Sequence, residues 1–99
     1  MRLFCFGMGY SARRLAAALA PRGWRIAGTC RDARAKAELE SLGTEAFLFD
    51  RDTPLPPNAL HGATHLLSSV PPDDAGDPVI DRYGADIARI EGLAWTGYL

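Results

Sequence analysis

Lysine is nearly missing from this 99-residue chain: Lys36 stands alone among eleven basic residues, the rest being arginine. The formal net charge is −1, which leaves no basic face for a nucleic acid and no polybasic stretch for an anionic membrane. Long apolar runs are missing as well. None approaches the roughly 20 residues of a membrane span, and the run at 3–6 is too short for a secretory signal and leads straight into glycines. Cysteine is scarce. Cys5 and Cys30 fall inside expected strands and read as small core residues of a reducing compartment rather than as a disulfide. A cytoplasmic setting follows as the expectation. Histidine occurs twice, at His61 and His65 in H-G-A-T-H. That spacing suits zinc only on a helix, and Gly62, the strand expected next and the lack of a third ligand argue against a metal site. Asp73, Asp74 and Asp77 lack the glycine-and-glutamate pattern of a calcium loop. The length allows one domain at most, with about two-thirds of the chain's surface buried.

What is present begins with the first thirty residues. Leu3-Phe4-Cys5-Phe6 stops at Gly7-Met8-Gly9-Tyr10-Ser11-Ala12, and an arginine- and alanine-rich stretch of helical spacing follows. A strand feeding a glycine turn that opens a helix is the architecture that binds the pyrophosphate of a dinucleotide. Gly7 permits the tight turn, and Gly9 lets the backbone approach phosphate with no Cβ in the way. Ala12 is small enough for close packing of helix on strand. The N–H groups of the first turn, at Tyr10 and Ser11, then face the anion with the helix dipole behind them.

The rest of the chain repeats an alternation of strand and crossover. Strands are expected at 2–6, 24–30, 45–49, 64–69 and 93–99, and helices start after the glycine turn, at Ala33 and at Asp77-Pro78. The buried stripes expected on the helices are Ala12, Leu15, Ala16 and Leu19; then Ala35, Leu39 and Leu42; then Ile80, Tyr83, Ile87 and Ile90. Residues 53–58 are too proline-rich for a regular helix and fill the crossover before the fourth strand. Such alternation predicts an α/β fold, a Rossmann-type doubly wound parallel sheet with strand order 3-2-1-4-5. Its ligand should lie across the carboxyl ends of the strands, where the order reverses between the first and fourth.

The end of the second strand chooses between cofactors. An NAD site places an acid about 20 residues past the glycines, whereas this chain has Thr29-Cys30-Arg31 there and the acid displaced to Asp32. A guanidinium at Arg31 would pair with a 2′-phosphate, so NADP is expected over NAD. The competing reading makes Arg31 a solvated loop residue and Asp32 the ribose ligand or a helix cap. Asp50 reads either as an acceptor for the adenine amino group or as a turn-forming aspartate. Ser68, Ser69 and Val70 end the fourth strand beside the switch point, where they would line the nicotinamide half of the groove.

These stretches together carry a family likeness: F-C-F-G-M-G-Y-S-A from Phe4, G-T-C-R from Gly28, F-L-F-D from Phe47, L-L-S-S-V-P-P from Leu66 and W-T-G-Y-L from Trp95. The chain resembles the N-terminal part of the short-chain dehydrogenase/reductase superfamily, in its extended or atypical epimerase/dehydratase branch. The G-x-G-x-x-A turn suits an atypical subgroup of a branch whose usual spacing is G-x-x-G-x-x-G. The resemblance implies an NAD(P)-dependent oxidoreductase or epimerase in which a Ser or Thr and a Tyr-x-x-x-Lys follow the fifth strand. This chain holds no such set, because the residue four before Lys36 is Asp32. The expectation is therefore a cofactor-binding portion of a longer enzyme, with no catalytic residue of its own and the small-molecule substrate bound elsewhere in the full-length protein. The alternative is a stand-alone dinucleotide-binding sensor or regulatory module, a homodimer that shields the edge of the fifth strand.

Overall fold

The computed structural model describes residues 1–50, 52–70, 74 and 76–98. Pro71, Pro72, Asp73 and Leu99, on which expected loop and strand residues fall, lie outside them. Five parallel strands, β1 (Arg2–Phe6), β2 (Arg25–Cys30), β3 (Glu45–Leu48), β4 (His65–Ser68) and β5 (Trp95–Tyr98), form one sheet in the order β3-β2-β1-β4-β5. This is the α/β order expected from the sequence. β1 has its expected bounds and the other four strands are one to three residues shorter, yet the hydrogen-bond ladder runs past the ends of several. Thr64 N donates to Arg2 O (3.0 Å), Ser69 N to Phe6 O (2.8 Å) and Phe49 N to Cys30 O (3.0 Å).

Alternation along β1 divides the core in two. Leu3 and Cys5 point to one face, with Ile26, Leu67 and the buried residues of α1 (Tyr10–Leu19) and α2 (Ala33–Ser41). Phe4 and Phe6 point to the other, with Leu66, Phe49, Val79 of α3 (Pro78–Ala88), and Leu55, Ala59 and Ala63 of the crossover. Every residue of β1 is buried, as a central strand covered on both faces requires. Burial pushes the Cys5 thiol up to about 12, which makes it an inert core group.

Each helix has identifiable stops. Asp32 caps α2 by accepting from Ala35 N through Oδ1 at 2.8 Å, and Asp77 caps α3 by accepting from Val79 N (2.9 Å) and Ile80 N (3.2 Å). Pro78 follows at the first helical position. Beyond α1 the chain tightens into a 3₁₀ turn at Ala20–Arg22 and leaves through Gly23 in the left-handed region. The 53–63 crossover forms successive tight turns instead of a helix. Ala59 N donates to Pro56 O, His61 N to Asn58 O and Ala63 N to Leu60 O.

Arg2, inside β1 and only 4% exposed, fastens that crossover. Its guanidinium donates to His61 O (3.1 Å) and Ala59 O (2.9 Å) and meets Glu45 Oε2 at 3.4 Å. These charge-assisted bonds offset much of the cost of burying a cation. The two histidines take no part in a common site. His61 lies in the turn before Gly62, which has φ +80°, and His65 starts β4, its ring edge-on to Trp24 at 4.6 Å.

Three leucine and isoleucine positions expected in the core are exposed. On α1 the inward face is alanine: Ala12 and Ala16 are buried, and Leu15, about 60° round the helix, is 36% exposed. Leu42 is 70% exposed because α2 ends at Ser41 and Leu42 occupies the cap. On α3 the stripe is Val79, Tyr83 and Ile87, continued past the helix end by Ile90, which turns Ile80 outward to 44% exposure. No helix among the described residues is long and apolar enough to cross a membrane.

Leu39 is the one buried residue of α2, at 0% exposure, so the attachment of that helix depends on it. Leu39→Ala should cost about 2–5 kcal/mol, and Leu42→Ala should stay within about 0.5 kcal/mol. Urea unfolding of the two variants beside the parent chain checks this; equal losses would contradict the assignment of the packing face.

Candidate functional site

At the carboxyl ends of β1, β2 and β4 lies a cleft of about 640 Å³. Of the residues expected at a ligand site, Gly7, Thr29, Arg31, Asp50, Ser69 and Val70 line it. Met8, Arg13, Cys30, Asp32, Ala35, Phe49, Asp52 and Pro78 complete the wall. A second hollow of about 730 Å³ runs between the 55–62 crossover and α3, away from the strand ends and the glycine turn.

The turn after β1 is pinned from both sides. Gly7 N donates to Thr29 Oγ1 at 2.8 Å, and Ser69 Oγ donates to Gly7 O at 2.8 Å. Met8 N donates to Thr29 O at 3.2 Å. Gly7 has φ +88°, and a Cβ there would sit 2.9 Å from Ser69 Oγ. Met8 folds back over β2, where a Cβ on Gly28 would meet its Cγ at 2.4 Å and Sδ at 2.5 Å. Gly28 is therefore the space into which Met8 packs, and sequence spacing gave no sign of that pairing.

The other half of the turn is open. A Cβ added to Gly9 would meet nothing within 4 Å. Gly9 is the N-cap of α1, with no side-chain cap and no acid in the first turn, and the first helical bond runs from Arg13 N to Gly9 O at 2.9 Å. The N–H groups of Tyr10, Ser11 and Ala12 precede it, unsatisfied within the helix. The side chains of these residues do not line the cleft. Tyr10 is 75% exposed and accepts from Arg14 Nη1 at 2.8 Å. Ser11 is exposed, and Ala12 is buried against the sheet.

Several expected ligands are spent on the scaffold. The Thr29 hydroxyl, on a residue 2% exposed, is committed to Gly7. Ser68 is 2% exposed and its hydroxyl finds no partner among the described residues; its alternation with Leu67 turns it into the core on the α3 side rather than toward the cleft. Asp50 Oδ1 accepts from Asp52 N and Thr53 N, both at 2.8 Å, so it forms a turn at the cleft wall. The Asp52 and Thr53 bonds hold its carboxyl below the usual aspartate value, with a smaller contribution from Arg31. Asp32 is the helix cap already described. Arg31 is exposed and makes no ion pair among the described residues.

Two lining groups were not singled out by sequence. Arg13 lines the cleft and donates through Nε to Met8 O at 2.9 Å. Its place four residues past Gly9 was the available signal. Cys30 is half-buried with its thiol toward Phe47 O (3.7 Å) and Asp32 O (3.8 Å); burial and then the Asp32 charge push the thiol up. Among the described residues, no group of three His, Cys, Asp or Glu side chains is arranged to hold a metal ion.

Neither a family model nor a curated protein matches the chain. It is similar to a solved structure, a functionally unknown conserved protein from Silicibacter pomeroyi DSS. The two are 44% identical with a TM-score of 0.82, over 98% of this chain and 33% of that one. The chain thus spans about a third of the length of that protein.

Gly7→Ala should cost at least about 1–2 kcal/mol from the left-handed backbone alone, with a further loss from the contact at Ser69. In a Ser69→Ala background the Gly7→Ala penalty should be smaller. A double-mutant cycle by denaturant unfolding measures that coupling; a strictly additive cycle would show that the two strand ends are not locked together.

Proposed function

We propose that this chain is the dinucleotide-binding portion of an NAD(P)-dependent short-chain oxidoreductase or sugar-nucleotide epimerase/dehydratase, with NADP(H) preferred over NAD(H). The observation that carries the reading is the open space over Gly9, two residues past Gly7 of the cleft wall, at an uncapped helix N-terminus. A pyrophosphate needs such a cradle: backbone N–H donors, no Cβ, and no acid in the first turn. Gly7, Gly9, Tyr10 and Ser11 would hold it through the backbone. Ala12 lets the helix lie close enough, Thr29 fixes the turn, and Ser69 and Val70 border the nicotinamide side. Asp50, on the cleft wall, would accept from the adenine amino group.

The 2′-phosphate falls to Arg31, because Asp32, the acid that would otherwise take the ribose hydroxyls, caps α2. When bound, the cofactor supplies hydride exchange; this chain's residues bind and orient it. The proton-transfer residues and the substrate pocket belong to the remainder of a longer protein, and a cytoplasmic setting fits two unpaired cysteines.

A second reading, a stand-alone binding module that dimerises, draws on β5. Among the described residues that strand pairs with β4 alone, and Trp95 on it is 47% exposed. The intact mass of the protein from its native cell separates the two: 10.7 kDa supports the module, and a mass roughly threefold greater supports the enzyme portion.

The cofactor assignment is checked by titrating the chain with NADPH and NADH, following nucleotide fluorescence. Saturable binding of both is expected, tighter for NADPH, and Arg31→Asp should weaken NADPH by about tenfold or more with little change for NADH. Equal loss for both would refute the 2′-phosphate contact, and no saturable binding by the folded chain would sink the dinucleotide reading.

A further inference from the structure

Arg13 and Glu38 are charges to which the dinucleotide reading gives no role. Arg13 lies in the first turns of α1, lines the cleft together with Arg31, Asp32 and Ala35, and has a side chain 40% exposed. Its Nε is held by Met8 O at 2.9 Å, which fixes the plane of the guanidinium without using its two terminal nitrogens. One of these, Nη1, lies 4.0 Å from Glu38 Oε2. That is too long for a hydrogen bond, and a pair so exposed on both sides is weak. Glu38 has a second partner on its own helix, since its Oε1 is 3.5 Å from Arg34 Nε.

We propose that Arg13 is a second specificity-determining cation for the 2′-phosphate of NADP(H), acting beside Arg31, and that Glu38 competes with that phosphate for it. The inference rests on the dinucleotide reading above. Two features place Arg13 at the 2′-phosphate rather than at the pyrophosphate. It leans toward α2, where Glu38 stands, and it shares its stretch of wall with residues at the end of β2 and the start of α2. The anchored guanidinium presents a pre-oriented fork, so little side-chain freedom is lost when a phosphate binds. A phosphate dianion offers more charge and more acceptors than the carboxylate it displaces, and Glu38 keeps Arg34 when Arg13 leaves. Lysine at this position would lack both the Nε anchor and the fork.

The test is titration of the full chain with NADPH and with NADH, for the parent and two variants. Arg13→Gln should weaken NADPH about tenfold and leave NADH within about twofold. Glu38→Gln leaves Arg13 and its bond to Met8 in place, and should tighten NADPH severalfold with NADH unchanged. Loss of both nucleotides alike in Arg13→Gln, or an unchanged NADPH-to-NADH ratio in Glu38→Gln, overturns the proposal while the dinucleotide reading stands. A parent chain that binds neither nucleotide removes both.

Discussion

The structure depends on how the chain leaves β1. At Gly7 the backbone must turn out of the most buried strand of the sheet, and its polar groups are met by the two neighbouring strands at once. Thr29 from β2 accepts from the N–H, and Ser69 after β4 donates to the carbonyl. A buried turn without these partners would leave a donor and an acceptor unsatisfied at a cost of a few kcal/mol. The same two bonds lock β2, β1 and β4 in register at their carboxyl ends, where the sheet order reverses. Met8 then fills the space over Gly28, which closes the floor of the cleft and aims the chain at the start of α1. Scaffold and site are thus built from the same few residues.

That sharing explains why the cleft wall holds fewer free polar groups than its composition suggests. Thr29 and Ser69 give their hydroxyls to Gly7, Asp32 gives an oxygen to the first turn of α2, and Asp50 gives one to the turn at Asp52 and Thr53. A hydroxyl or carboxylate beside a chain reversal is claimed by the nearest backbone N–H or carbonyl before any ligand reaches it. The groups left over on the wall include two guanidiniums, Arg13 and Arg31, and the unsatisfied N–H groups at the start of α1 lie just beyond it in the chain.

The sequence was most legible where a single strong pattern acted. The apolar run of β1, the glycine turn, the aspartate caps at Asp32 and Asp77 and the strand alternation led to the observed sheet order. Helix faces were less legible. Ala12 and Ala16 form the contact of α1, so the eye drawn to Leu15 picks the larger residue on the wrong flank. Leu42 continues the spacing of α2 but lies past its last turn. Val79 was masked by Ile80, its equally apolar neighbour. At the site, the lining by Gly7, Arg31, Asp50, Ser69 and Val70 followed from strand ends. Ser68 did not, because a one-residue step along β4 sends it to the opposite face. Arg13 escaped notice because arginine on a helix is usually solvated, and only the carbonyl of Met8 draws it inward.

Electrostatics at the cleft need a closer balance than counting charges gives. Asp32, Asp50 and Asp52 line it with Arg13 and Arg31, a formal excess of acid that would repel a phosphate. Position changes the sum. The Asp32 charge is neutralised in part by the N-terminus of α2, and that of Asp50 by two backbone N–H groups. The guanidiniums are less engaged. Arg13 faces its nearest carboxylate at 4.0 Å, and Arg31 has no ion pair among the described residues. An anion entering between them therefore meets cations with spare donors, while Asp32 and Asp50 each have one carboxylate oxygen turned to backbone N–H. At the β2 end of the cleft it is the arrangement of caps at Asp32 and Asp50, rather than any surplus of basic residues, that tempers the acidic charge an anion would meet.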